Sequence, residues 1–438
     1  MIEICTIGGY NEVGKNMLVV KAGDEVVILD MGLHLEPYIK YTEAEDVSMS
    51  ATALIKIGAI PDISPIDKWK DKVVAIVPTH AHLDHVGPYL SNKFNCPILC
   101  TDFTAEVLQR ICENAGKKLK NEVLKMNING IYKVSDTMTI EFIHMTHSTP
   151  QTVAVLLHTK YGKVLYVTDW KLDEHPTLGP KCNTKRLKQL GKQDVVCLIV
   201  DSLRARFEGR TPSESKAREE LREVLLNSDN RGKAVIVSTF SSHLARLKSI
   251  IECGREMNRK ITFFGRSLSR YTESGEAAGL IEFSKEVTIC KYRNHVRKRI
   301  KKINKELDKH LIVCTGHQGE EKAVLSGIAR GEFDIALRAG DKIIFSCNVI
   351  PTKSNIIQRE ALEKQFKGKG LDIIKDVHAS GHPSREDVRE LIKMVKPANI
   401  IPCHAPPEFT ESLISLAKEM GYEDKHIHQM SDGLCLKP

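Results

Sequence analysis

Thr79-His80-Ala81-His82-Leu83-Asp84-His85-Val86-Gly87 puts three imidazoles and a carboxylate within six consecutive positions. It follows Val73-Val74-Ala75-Ile76-Val77, an apolar β-branched run closed by Pro78, so it reads as the loop leaving a buried strand. In an extended loop His80 and His82 share a face, because side chains at i and i+2 point the same way. Asp84 and His85 take a second direction as the chain turns toward a helix. Such an arrangement suits two metal ions side by side, since neutral imidazole and carboxylate are ordinary zinc ligands. A merely polar surface loop would not need a buried strand behind it, whereas strand-end loops carry chemistry.

The HAHLDH run at 80–85 resembles the metal-binding motif of the metallo-β-lactamase superfamily. The resemblance implies that fold and a dinuclear site. It implies no substrate, because the superfamily hosts lactonases, thioesterases, oxidoreductases and nucleases.

Composition narrows the class. A chain of 438 residues is long enough for a large core and two domains. Aromatic residues make up only 5%, so any base-stacking platform has to be local, and the net charge of +8 permits an anionic partner without requiring one. No apolar run approaches membrane-spanning length. The start, Met1-Ile2-Glu3-Ile4-Cys5, lacks the regions of a signal peptide and already reads as a strand. A cytoplasmic protein without a membrane partner is expected. The twelve cysteines sit in apolar segments without a CxxC pair, and the expectation is that all are reduced, mostly buried thiols.

Along the chain, strands repeatedly end in chemistry. Val26 to Leu29 delivers Asp30-Met31-Gly32, where Asp30 suits an outer carboxylate that orients the metal loop. Thr139 to His144 leads into Met145-Thr146-His147, with His147 where a third imidazole would be needed and His144 packing within the strand. Val164 to Val167 leads to Asp169, placed to bridge two ions. Val195 to Val200 ends in Asp201. Repeated strand-then-acid endings mark a layered α/β fold with its site at the strand ends.

After Arg206 the text changes character, and a domain boundary is expected there. Five strands between Ala234 and Ser346, separated by helices, predict a doubly wound parallel sheet. Three small-residue loops, at Thr239–Arg246, Gly265–Ser267 and Thr315–Glu320, open onto helices and are natural phosphate holders, with ordinary Ser/Thr capping as the alternative. The run from Lys291 to Lys305 is strongly basic with apolar residues at helical spacing. It is either the electrostatic footprint of a nucleic acid or a solvated helix face. The first domain is then expected to resume with a strand from Asp372 to Val377, His378-Ala379-Ser380-Gly381-His382, a helix from Glu386, and a strand delivering Cys403-His404-Ala405-Pro406.

HASGH followed by CHAP looks like the later motifs of the β-CASP nucleases. GGYNEVGKNM, DSLRARFEGRTPSE, STFSSHLARL, GRSLSR and TGHQGEEKAVLSGIARGEF together resemble the ribonuclease J family over essentially the whole chain. Ala405-Pro406 departs from the Gly-Glu common there, and the length implies a compact, archaeal-type version. The implied architecture is an α/β metallo-β-lactamase αββα sandwich, residues 1–206 and 349–438, with a β-CASP domain inserted at 207–348. The implied activity is metal-dependent hydrolysis of RNA, mainly as a 5′-to-3′ exonuclease preferring 5′-monophosphate ends, with endonuclease action beside it. The alternatives are an endonuclease of the 3′-end-processing type and a small-molecule metallohydrolase on the same core. The resemblance implies that His80, His82 and His147 hold one divalent cation and Asp84, His85 and His404 the other, with Asp169 shared. Zinc is expected on ligand grounds, with manganese the alternative. Asp84 would orient or deprotonate the attacking water. Asp30 and Asp201 would be outer acids, Asp201 steadying His404. His378 would sit at the scissile phosphate, and Ser241, Ser242, Ser380, Gly381 and His382 would line a 5′-phosphate pocket. Expected partners are single-stranded RNA, single-stranded DNA as a second polymer, and a second copy of the chain.

Overall fold

The computed structural model describes residues 1–45, 49–89 and 92–438. It divides into two compact units. Met1–Glu174, Pro180–Thr211 and Gly381–Pro438 form the first, and His175–Gly179 with Pro212–Ser380 the second.

The first unit contains two sheets. One has β1 (Ile2–Gly8), β2 (Met17–Ala22), β3 (Glu25–Leu29), β4 (Val73–Val77), β5 (Ile98–Cys100) and β6 (Val123–Lys125) side by side, with β19 (Leu434–Leu436) outside β1. The other comprises β7 (Ile131–Lys133), β8 (Met138–His144), β9 (Val153–Thr159), β10 (Gly162–Val167) and β11 (Val195–Asp201), with β18 (Asn399–Cys403) outside β11. Ile4, Val20, Leu29 and Val77 of the first sheet share one core with Ile140, Val155, Tyr166 and Ile401 of the second, so the sheets face each other. Each outer face has its own cover. Leu187, Val388, Leu391 and Leu413 come from helices on the second sheet, and Ala105 and Leu108 from the helix Asp102–Asn114 on the first. This is the four-layer αββα sandwich. β4 lies between parallel neighbours, with Ala75 and Val77 toward the inter-sheet core and Ile76 toward the helix side. A strand buried on both faces reads as a continuous apolar run, which is why 73–77 is so uniform.

The second unit holds one sheet in the order β14 (Val287–Cys290), β13 (Lys260–Phe264), β15 (His310–Cys314), β12 (Val235–Ser238), β16 (Lys342–Phe345), β17 (Asp372–Ile374), and every pairing in it is parallel. Its core includes Ile236, Phe264, Ile312, Phe345, Leu362 and Phe366. One expectation is corrected here. The strand beginning at Asp372 does not return to the first unit, because it pairs with β16 as the sixth strand of this sheet. The chain rejoins the first unit only at Gly381.

The cysteines need a second correction. Cys5 and Cys435 form a disulfide, while the ten other cysteines are buried free thiols. The two are direct partners in the antiparallel β1–β19 pair, with Cα atoms 4.0 Å apart, which brings the sulfurs within bonding reach. Among the described residues no helix is long and apolar enough to cross a membrane.

Candidate metal centre

Six strand ends of the first unit deliver side chains to one place. Asp30 follows β3, the loop from Thr79 follows β4, His147 follows β8, Asp169 follows β10, Asp201 closes β11 and His404 follows β18. Asp30, Asp169 and His404 have φ of 61°, 50° and 58°. Left-handed backbone at a non-glycine residue costs of order 1–3 kcal/mol and persists only where the surroundings enforce it. Three such residues at one end of the sandwich mark a site built at the expense of local comfort. His82 caps a single helical turn, Leu83–Val86, that carries Asp84 and His85.

The side chains form two donor groups, His80, His82, His147 and Asp169, and Asp84, His85, Asp169 and His404. Within each group the donor atoms lie within 4.8 Å of one another. His82 Nδ1 is 3.1 Å from His80 Nε2 and 3.2 Å from His147 Nε2. Asp169 divides its oxygens between the groups. Its Oδ2 is 3.6 Å from both His80 Nε2 and His147 Nε2, and its Oδ1 is 3.3 Å from His85 Nε2 and 3.4 Å from His404 Nδ1. A tetrahedral ion about 2.0–2.1 Å from its nitrogens holds them about 3.3 Å apart. The spacing and the donor chemistry therefore fit a pair of cations with a shared carboxylate.

Outer contacts fix the rings. Asp30 is fully buried, accepts the Thr79 backbone N–H at 2.7 Å and meets His85 Nδ1 at 2.7 Å. Thr79 Oγ1 is 3.0 Å from His80 Nδ1, and the Gly381 carbonyl is 2.8 Å from His147 Nδ1. Partners on the far ring nitrogen set the tautomer and leave the near one for the metal. A Cβ at Gly381 would lie 2.7 Å from that imidazole, and one at Gly32 would lie 1.6 Å from the Asp84 carbonyl oxygen. Only glycine lets these segments approach so closely.

Asp201 departs from expectation. Its Oδ2 meets His382 Nδ1 at 2.7 Å, whereas His404 Nδ1 lies 2.9 Å from Asn16 Oδ1. Asp201 thus steadies His382, not His404. The His382 ring stacks on His404 with centroids 5.2 Å apart, and its Nε2 points toward Asp169 at 3.9 Å. Asn16, to which the sequence reading gave no role, is buried and also donates to the Asp84 carbonyl at 3.0 Å. Ser148 was likewise missed, and its hydroxyl is 3.2 Å from His147 Nε2. Asn16 stands inside the quoted GGYNEVGKNM run and Ser148 directly follows His147, so position was the only signal either carried.

Electrostatics match the donor reading. Burial holds the His80 and His147 rings well below the ordinary histidine range and brings His82 down to about 4. Burial also opposes charge on His85, but Asp30, Asp169 and Asp84 overcome it and draw a proton onto that ring. His382 is pushed up to about 9, because Asp201 and Asp169 outweigh its burial. His80, His82 and His147 are thus held neutral, as ligation requires, whereas His85 carries a proton that a divalent cation has to displace.

The remaining candidates lie in the second unit. Ser241 Oγ is 2.9 Å from Ser267 Oγ, which joins two of the small-residue loops, and Gly265 abuts Thr315 of the third. Arg246, in the first loop, is not open to a phosphate. It is fully buried, with Nε and Nη2 on the Glu214 carboxylate at 2.6 and 2.8 Å and Nη1 on the Ser346 and Val377 carbonyls. His378 lies in this unit beside Phe240, at 6.4 Å between centroids, and Phe240 meets His317 at 4.3 Å. Ser242 and Ser380 belong to the same unit, and Gly381 and His382 to the first.

Three family descriptions match the chain: "Beta-lactamase superfamily domain" over residues 56–198, "Ribonuclease J, beta-CASP domain" over 232–362, and "Zn-dependent metallo-hydrolase RNA specificity domain" over 371–428. Ribonuclease J of Methanocaldococcus jannaschii is 37% identical over 440 residues, covering 99% of this chain and 98% of its own. That of Pyrococcus abyssi is 40% identical over 429 residues, covering 96% and 94%. Ribonuclease J2 of Bacillus subtilis is 27% identical and matches 99% of this chain against 74% of its own length. A solved structure, a protein of unknown function from Enterococcus faecalis V583, aligns with a TM-score of 0.66 over 99% of both chains at 16% identity, a likeness of fold alone.

Proposed function

The chain belongs to the ribonuclease J family and is a metal-dependent ribonuclease, and we propose how its own residues perform that reaction. His80, His82 and His147 hold one divalent cation, Asp84, His85 and His404 the other, and Asp169 serves both. The split of the two Asp169 oxygens between the groups carries this reading. Zinc suits the nitrogen-rich first group, and manganese is accommodated by the oxygens of the second. Two such cations, when bound, bring the pKa of a water toward about 7 and offset charge building on the phosphoryl oxygens.

The residues around them then divide the work. Asp84, partly exposed at the edge of its group, orients the attacking water and accepts its proton. His382 is the imidazole that delivers a proton to the leaving oxygen. Asp201 holds Nδ1, which aims Nε2 at the centre, and a positioned imidazole is the usual general acid. Asp30 keeps His85 in place from its far ring nitrogen, and Asn16 ties down the Asp84 backbone. A 5′-monophosphate is received by the hydroxyls of Ser241, Ser242 and Ser267 on the second unit, and shortening runs 5′ to 3′. The ten free buried thiols suit a cytoplasm, with the Cys5–Cys435 disulfide as the exception.

A time course on 5′-labelled and 3′-labelled RNA tests this. Mononucleotide release from the 5′ label, fastest with a monophosphate end, is the expected result. Equal rates on monophosphate, hydroxyl and triphosphate ends would remove the phosphate pocket, and shortening from the 3′ end would remove the direction.

A further inference from the structure

The helix Arg293–Ile303 in the second unit packs Val296, Ile300 and Ile303 into the core beside Phe264, Ile312 and Phe333. That anchoring turns its opposite side to solvent. The helix carries six Lys and Arg residues and no acid. Arg293 is committed to Glu332 and the Lys322 carbonyl, and the Arg297 guanidinium lies 5.6 Å from the Phe333 ring centroid. Lys298, Lys301, Lys302 and Lys305 are a different set. Lys298, Lys301 and Lys302 recur at i, i+3 and i+4 and so share one side of the helix, and Lys305 follows in the turn after the C-cap Asn304. All four are exposed, and none pairs with a carboxylate among the described residues. The helical part of the stripe, from Lys298 to Lys302, is about 6 Å long at 1.5 Å per residue.

At the other end of the helix, Tyr292 is 50% exposed. Its ring meets His295 edge-on at 5.5 Å, with Lys291 Nζ 5.6 Å from the centroid. Lysines at a helix C-terminus stabilise its dipole, but that does not explain a half-exposed aromatic pair flanked by cations. An aromatic ring beside a basic track is the arrangement that holds single strands without sequence preference. A lipid surface fits less well, because the apolar side of the helix is already buried and has nothing to insert.

We propose that this face of the second unit, the lysine stripe with Tyr292 and His295, is a docking surface for single-stranded RNA. The proposal rests on the ribonuclease reading for the identity of its ligand.

The full chain without added metal is titrated with RNA of about thirty nucleotides over a range of salt, as wild type, K298E/K301E/K302E/K305E, its four-glutamine counterpart, and Y292A. Losing four phosphate contacts should reduce the magnitude of the log–log salt slope by about 3 and weaken binding about tenfold or more. The glutamine variant should behave likewise, and Y292A should lose affinity at constant slope. With metal restored, cleavage of a dinucleotide substrate should stay at the wild-type rate in every variant. Unchanged affinity and slope in the charge variants would overturn the proposal, as would tighter binding to phosphatidylglycerol vesicles than to RNA. Binding that depends on the stripe in a wild type that cleaves no RNA would support the surface while overturning the catalytic reading.

Discussion

At the residue scale, function hangs on which imidazole faces the ions and what holds it. His382 meets Asp201 at 2.7 Å, within charge-assisted hydrogen-bond range, and sits outside the ligand groups that contain His80 and His85. His382→Ala is therefore expected to slow cleavage about 10²- to 10⁴-fold, the range for a lost general acid, while metal content measured by plasma mass spectrometry stays at the wild-type level. A drop in metal content would make His382 a ligand instead. Asn16→Ala is expected to act differently. It removes the amide that holds the Asp84 carbonyl, so metal affinity should fall about 10- to 100-fold, as for other partners of ligating residues, with the protein still folded by circular dichroism. The ligands were readable in the sequence because each is a histidine or acid at the end of an apolar run. The Asp201 partner was not. Asp201 lies opposite Cys403 in the β11–β18 register, but His404 turns away through a left-handed φ of 58°, and it is His382 that comes within reach. A backbone twist at one residue is invisible in the letters.

At the scale of elements, strand order was less legible than strand presence. The second unit's sheet was expected from its strand–helix rhythm, yet β17 joins it by pairing with β16 across the helix Lys353–Gly368, and no local signal says which sheet a short strand will join. Between elements of the first unit, Glu141 on β8 anchors the helix Thr184–Leu190 through Arg186, with Nη2 at 2.9 Å, and also meets His158 of β9 at 2.8 Å. Burial alone would raise the Glu141 carboxyl, but the bonds from Arg186 and His158 hold it down at about 2. A depressed carboxyl contributes stability that is complete above its unfolded pKa of about 4.3 and is lost as pH falls through the folded value. Arg186→Ala should thus cost about 1–3 kcal/mol in urea unfolding at pH 7. The deficit should hold to about pH 5 and shrink below about pH 4. A deficit that grew on acidification would contradict the assignment.

At the scale of the molecule, segments far apart in sequence close one site. The disulfide between Cys5 and Cys435 fastens β19 to β1, and nearby Asp432 accepts from the Tyr10 backbone N–H at 3.0 Å and pairs with Lys15 at 3.0 Å. These contacts hold the loop that presents Asn16. A partner 430 positions away leaves no trace in local spacing, which is why all twelve cysteines read as free thiols. Cys435→Ser is expected to lower stability by about 2–4 kcal/mol, and reductant should lower the wild type by a similar amount while leaving the variant unchanged. The basic helix of the second unit was visible in the sequence as charge and period, but which lysines stay unpaired required the neighbours to be in place.

The central claim is that donors far apart in the sequence of the first unit hold two cations through one shared carboxylate. It is tested most directly by counting metal in reconstituted protein before and after removal of His404. The account predicts close to two equivalents per chain in the wild type and close to one in His404→Ala, the remaining ion held by His80, His82, His147 and Asp169. Two equivalents retained without His404, or a single ion in the wild type at saturating metal, would contradict it.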